Sequence, residues 1–181
     1  MPVTESQAWR EAAVTVPKDD VMLLTLELHH PAFLEAGVPT AIRIVLDTAP
    51  RLTFRLEAEA PLGGGELVDF TGMPFEIDFP RIGQLGVECP IKIDNVGREV
   101  ATYLPAAVTQ NTPMLVIFRG YLMSDPDTVG QGPFRLHLRN IKRKGATLTG
   151  NLVVASPGEL KFLRRVYDMH AFTALMAASA T

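Results

Sequence analysis

The sequence predicts a mainly β fold: an antiparallel barrel or sandwich of about eight strands, with a short N-terminal helix, one internal helix and an extended C-terminal arm. Three observations carry that expectation. Short runs of alternating apolar residues recur between turn signals along most of the chain. No alternation of strand and long helix appears, so a parallel α/β sheet is not expected. After Pro157-Gly158 the strand pattern stops, and a tail of scattered aromatics and charges follows.

The elements follow in order. Thr4 and Gln7 have capping-box spacing, and Ala8, Trp9, Ala12 and Ala13 supply an apolar stripe of about two turns before Pro17. So short a helix is marginal alone, and Trp9 must dock on its own sheet or on a neighbour. Val21–Leu28 and Ala41–Asp47 read as strands, and HHPAFLEAGVPT between them, with its two prolines and a glycine, as a hairpin loop or rim excursion. Arg51–Glu57 turns Leu52, Phe54 and Leu56 inward. PLGGG is a flexible break. Glu66–Phe70 and Phe75–Phe79 are short strands about the turn Thr71-Gly72-Met73-Pro74, and Gly86–Ile93 is another strand. Val100, Leu104 and Val108 then fall on one helical face, with Pro105 limiting that helix and Asp94 or Asn95 able to cap it. The segment from Asp94 to Tyr103 is expected to hold the fold rather than to make contacts.

Met114–Leu122 is the most apolar strand and is expected at the centre of the sheet. SDPDTVGQGP should be an exposed loop. Phe134–Ile141 alternates cleanly, and Thr147–Val154 is its expected hairpin partner across KRKG.

At 181 residues the chain holds one domain with a proper core. We divide it into a docking segment at 1–17, a β domain at 18–156 and an arm at 157–181. The arm reads either as a segment buried by a partner or as a helix packed on its own sheet. A single cysteine, Cys89, allows no intramolecular disulfide and no CxxC pair. The apolar runs fall far short of the ~20 residues that span a bilayer, and the polar, acidic N-terminus is unlike a signal peptide. Synthesis in the cytoplasm and no membrane partner are expected.

Charge is unevenly spread. Residues 131–167 carry eight Lys/Arg against one acid, Glu159, whereas the rest of the chain carries nine against nineteen. Oppositely charged surfaces of this kind suit contacts between protein subunits. Nucleic acid is an unlikely partner, because the basic stretch lacks interleaved aromatics for base stacking.

Signatures of chemistry are missing from the sequence. His29 and His30 are adjacent on a strand and point to opposite faces, and His137 and His170 lack Cys or acidic neighbours at ligand spacing. Glu76 and Asp78 alternate with Phe75, Ile77 and Phe79 as the solvent face of a strand; Glu57 and Glu59 are a second acidic pair. Ser6, Ser124 and Ser156 lie outside any nucleophile motif. Cys89 reads as a buried thiol. No catalytic, metal-binding or cofactor-binding residue is therefore expected, and no enzyme activity.

The helix SQAWREAAV, the strands LLTLELHHPAF and TAIRIVLD, and the segments IKIDNVGREVATYL and FRGYLMSDPDTVGQGPFRLHLRNI resemble, in pattern and order over most of the chain, the DUF1833 group of phage-encoded proteins. Members of that group look like tail assembly or tail tip components, encoded among tail genes after the tape measure protein. A more distant resemblance, to the minor tail protein L family of lambda-like phages, implies a trimeric upper hub joining the distal tail ring to the central hub. That family's cluster-binding domain uses several cysteines; this chain has one, so no iron–sulfur cluster is expected.

The resemblance implies a structural role in the virion, at the tail tip or baseplate, for a protein made in the host cytoplasm. Its expected partners are the distal tail protein, the central hub, the tape measure protein and further copies of itself, as a trimer or, alternatively, a hexamer. Interface anchors of aromatic and Arg type would be Trp9, Phe33, Tyr121, Arg164, Arg165, Tyr167 and Phe172. Competing readings are a small-molecule or receptor-binding β-barrel and an assembly factor absent from the mature virion. A hydrolase acting on cell wall lacks a recognisable catalytic set.

Overall fold

The computed structural model describes residues 4–15, 20–77, 88–94, 103 and 112–154. The expected internal helix (Tyr103 apart), the C-terminal arm and both domain boundaries lie outside the described residues. The elements in chain order are β1 (Thr4–Glu5), α1 (Gln7–Thr15), β2 (Met22–Glu35), β3 (Val38–Val45), β4 (Arg51–Arg55) and β5 (Leu67–Gly72). They continue as β6 (Phe75–Ile77), β7 (Glu88–Ile93), β8 (Met114–Leu122), β9 (Gln131–Lys144) and β10 (Thr147–Val154).

All ten strands join one sheet in the order β4-β5-β3-β2-β8-β9-β10-β7-β6, with β1 added on β9. The fold is mainly β, as the alternating runs predict, but the sheet is mixed. β3 and β5 run parallel over Ile44↔Thr71 and Val45↔Gly72, because β4 intervenes as the first arm of a hairpin with β5. Among the described residues the ladder is neither a closed barrel nor two stacked sheets: it is one open sheet. Only Met73 and Pro74 separate β5 from β6, at opposite sides of the strand order. The Met73 N–H donates to Val45 O at 3.0 Å, and Pro74 O accepts from the Asp94 N–H at 3.0 Å. The chain itself spans the gap there, and Pro74, lacking an N–H, cannot extend a ladder across it.

The curl explains the core. Leu26 and Leu28 of β2, Val116 and Phe118 of β8 and Leu138 of β9 meet Phe75 of β6 and Ile91 of β7 in one cluster. Strands that distant in the order share a core only if the sheet bends round on itself. On the opposite face of β2 and β8, the β4–β5 hairpin supplies Phe54 and Phe70 to a second cluster with Leu23, Val45 and Tyr121. β8 is thus buried on both faces. It occupies the middle of the strand order, as its unbroken apolar run predicts.

Several boundaries differ from the sequence expectation. β9 takes in residues 131–133 of the expected loop and 142–144 of the expected turn, and β5 takes in Thr71 and Gly72. β2 continues through His29–Glu35 and β3 begins at Val38, so most of HHPAFLEAGVPT is strand and the turn is only Ala36-Gly37. The prolines are accommodated because the register shifts between His29 and Leu34, and because β8 no longer pairs β2 beyond His29. At the N-terminus the helix cap is Ser6, whose Oγ accepts from the Trp9 N–H at 3.1 Å, while Thr4 lies in β1.

Candidate functional site

Two features stand out above the packing: a buried ion network on the second-core face, and a pair of hairpins that overrun β8 at the same end.

The network begins with alternation. Leu24, Leu26 and Leu28 face the large core, so Thr25, Glu27 and His29 face the other way. Cross-strand register then sets Glu27 opposite Arg43 of β3, and Thr25 opposite Arg119 of β8. Glu27 and Arg119 are both 0% exposed. Arg119 Nη1 donates to Glu27 Oε2 at 2.7 Å, Nε to Glu57 Oε2 at 2.6 Å and Nη2 to Glu57 Oε1 at 2.8 Å. Arg43 Nε donates to Glu27 Oε1 at 3.0 Å, and its Nη2 reaches Leu62 O at 3.0 Å. His29 Nε2 lies 3.4 Å from Glu27 Oε1.

Burial pushes the Glu27 carboxyl up, but His29, Arg119 and Arg43 outweigh it and hold the pKa at about 2. Burial likewise opposes charge on Arg119, and Glu57 and Glu27 more than offset it, so its pKa rises above the ordinary value. Beside it, burial pushes the Tyr121 phenol up. Its hydroxyl donates to Arg55 O at 2.9 Å, and its ring stacks on Phe54.

Both oxygens of both carboxylates are therefore engaged by guanidinium groups. The network ties β2, β3 and β8 to Glu57 and Leu62, both in the loop that leads from β4 to β5. Sequence reading missed it. A signal existed: one Glu inside VMLLTLEL and one Arg inside MLVIFRGYL, each alone in an apolar run.

The hairpins follow from register. β2 pairs β8 only as far as His29↔Leu115, and β9 pairs β8 only up to Leu138↔Met114. Both strands run on past that end of β8, so the tips of the β2–β3 and β9–β10 hairpins lie at the same end of the sheet, while Phe33 still packs in the large core and β7 pairs β10 as far as Ile93↔Leu148. The first exposes Leu34 and Val38, the latter 64% exposed. The second exposes Lys142, Arg143 and Lys144, with no acid anywhere in residues 139–151. A bulge at Asn140, whose φ is 55°, bends this second hairpin.

The anchors expected from sequence are distributed otherwise. Trp9 is 6% exposed and seated on Gly120 and Gly130, where an added Cβ would lie 2.5 and 2.8 Å from its ring. Phe33 is fully buried in the large core against Tyr103 and His30, and Tyr121 in the second core. In this arrangement these three rings pack the chain's own interior. Arg164, Arg165, Tyr167 and Phe172 lie outside the described residues.

The concave side of the sheet carries a groove of about 870 Å³, lined among others by Leu24, Phe118, Ile91, Ile141 and Lys92. Among the described residues no group of three His, Cys, Asp or Glu could hold a metal ion, and no helix is long and apolar enough to cross a membrane.

A family model described as "Domain of unknown function (DUF1833)" matches residues 8–167. No curated protein matches the chain.

Proposed function

The chain belongs to the DUF1833 family, and from that premise we propose that it is a structural, non-enzymatic component of a tailed-phage tail tip or baseplate. In this reading it is a hub-type minor tail protein linking the tail tube or distal tail ring to the central hub. The observation that carries the reading is the pair of hairpins overrunning β8 at one end, one apolar at its tip and one basic. A protein that fits into a ring needs contact residues held rigidly at one end of its scaffold. The Arg119 network supports the same reading, since its carboxylates serve to lock the β4–β5 hairpin onto the sheet.

The groove of about 870 Å³ favours a second reading, a small-molecule or receptor-binding β module. Light scattering on the purified chain, alone and mixed with the distal tail, central hub and tape measure proteins of its phage, separates the two. A trimer, a hexamer or co-assembly with a tail partner is the expected result. A monomer that ignores all three would overturn the tail reading and return the groove to the front.

A further inference from the structure

We infer that copies of this chain associate head to tail, the hairpin-tip end of one docking on the opposite end of the next. The inference deepens the tail-tip reading by naming the partner and the two surfaces.

The hairpin-tip end combines exposed apolar residues, Leu34 and Val38, with the cations Lys142, Arg143 and Lys144. The other end is its complement. There β2 begins and β8 finishes, paired through Met22↔Leu122, and the Met123 N–H donates to Val21 O at 2.9 Å. Val21, Met22 and Met123 are 57%, 40% and 52% exposed at this end, where Val21 and Met123 are cross-strand neighbours. Acids surround them. Asp20 accepts from the Ser124 N–H and hydroxyl, Asp125 is exposed in the following turn, and Glu5 lies on β1 where β9 starts. Arg10 of α1 is exposed at this end and Glu35 at the other, so each offsets one charge without changing the sign.

Among the described residues, five of the seven large apolar side chains left exposed lie on these two surfaces. Apolar centre and charged rim are the anatomy of a protein interface. The opposite signs of the two rims make each surface repel itself and attract the other. A two-fold dimer built end against end would set like against like. The contact is therefore heterologous, which closes a ring or extends a filament.

Charge exchange tests it. One variant carries Lys142→Glu, Arg143→Glu and Lys144→Glu; the other carries Asp20→Lys and Asp125→Lys. Far-UV circular dichroism and melting temperature check that each is folded, and Lys142→Gln with Lys144→Gln substitutes for the first set should it fold poorly. Sedimentation of the full chain across about 0.05 to about 0.5 M salt reads the assembly. Expected is a wild-type oligomer that dissociates as salt rises, with each variant needing roughly a hundredfold higher concentration to half-assemble. Mixing the two variants should restore association between unlike copies, as heterodimers or even-numbered assemblies, because each contact between them joins opposite charges. An odd ring such as a trimer cannot alternate. A wild type that stays monomeric at every salt concentration, an oligomer indifferent to both variants, or a mixture in which unlike copies do not associate would each overturn the inference. Adding the tail proteins to the same samples judges the tail-tip reading separately, since a chain monomeric alone can still co-assemble with them.

Discussion

Arg119 shows how a single residue can shape a sheet that burial alone would leave ambiguous. In the run MLVIFRGYL it is the only charge, and it is completely buried. Removing a guanidinium from water costs several kcal/mol. The cost is met here by two carboxylates on different elements, one of them held bidentate. We predict that Arg119→Met destabilises the fold by roughly 3–5 kcal/mol, since Glu27 and Glu57 are left facing each other without their shared cation. Arg51→Met, at the exposed pair with Asp69, should cost no more than about 1 kcal/mol. Urea midpoints of the two variants measure the contrast, and equal midpoints would sink the account.

At the scale of elements, the two long hairpins differ in how well their turns suit them. β9 and β10 turn through Gly145 at φ 61°. β2 and β3 turn through Ala36 at φ 50° and Gly37 at φ 83°, the pair of left-handed residues that a two-residue hairpin demands. Gly37 adopts that conformation freely, whereas the Cβ of Ala36 crowds the following carbonyl. Ala36→Asn should therefore stabilise the protein by roughly 0.5–1 kcal/mol, raising Tm by a few degrees in a chain of this size. Calorimetry showing a lower Tm would mean that this turn is set by something other than its own dihedral preference. α1 makes the converse point. Its two turns gain their stability from Trp9, which lies on a floor of two glycines, and Gly130 N–H bonds to Gly120 O at 2.9 Å to hold that floor flat.

For the whole molecule, the sheet's curl and the β4–β5 hairpin create two cores on opposite faces of β2 and β8, and the ion network sits on the second face. Its stability is linked to pH through Glu27. The folded pKa, about 2, lies below the ordinary value of 4.5, so the contribution is complete above about pH 4.5 and is lost as pH falls toward 2. Its size at neutral pH is of order 3 kcal/mol. The difference in unfolding free energy between wild type and Glu27→Gln should accordingly shrink on acidification through that window. A difference that stays constant from pH 7 to pH 2.5 would show that Glu27 acts by shape alone.

Much of this was legible in the sequence. Alternation in FRLHLRNI and TLTGNLVV marked β9 and β10 and paired them, and the apolar density of MLVIFRGYL marked the central strand, because the faces a strand buries are written in its own residues. The long basic hairpin was visible as charge. What only the tertiary structure decided was how distant segments met. Whether the sheet closed depended on Met73 and Pro74, whose backbone bonds to Val45 and Asp94 exist only once those strands are in place. The destination of Trp9 depended on Gly120 and Gly130, more than a hundred residues away. Glu27, Glu57 and Arg119 are unremarkable apart. Their pairing rests on cross-strand register between β2 and β8 and on a hairpin folded over both, and register is a property of assembled strands rather than of any one of them.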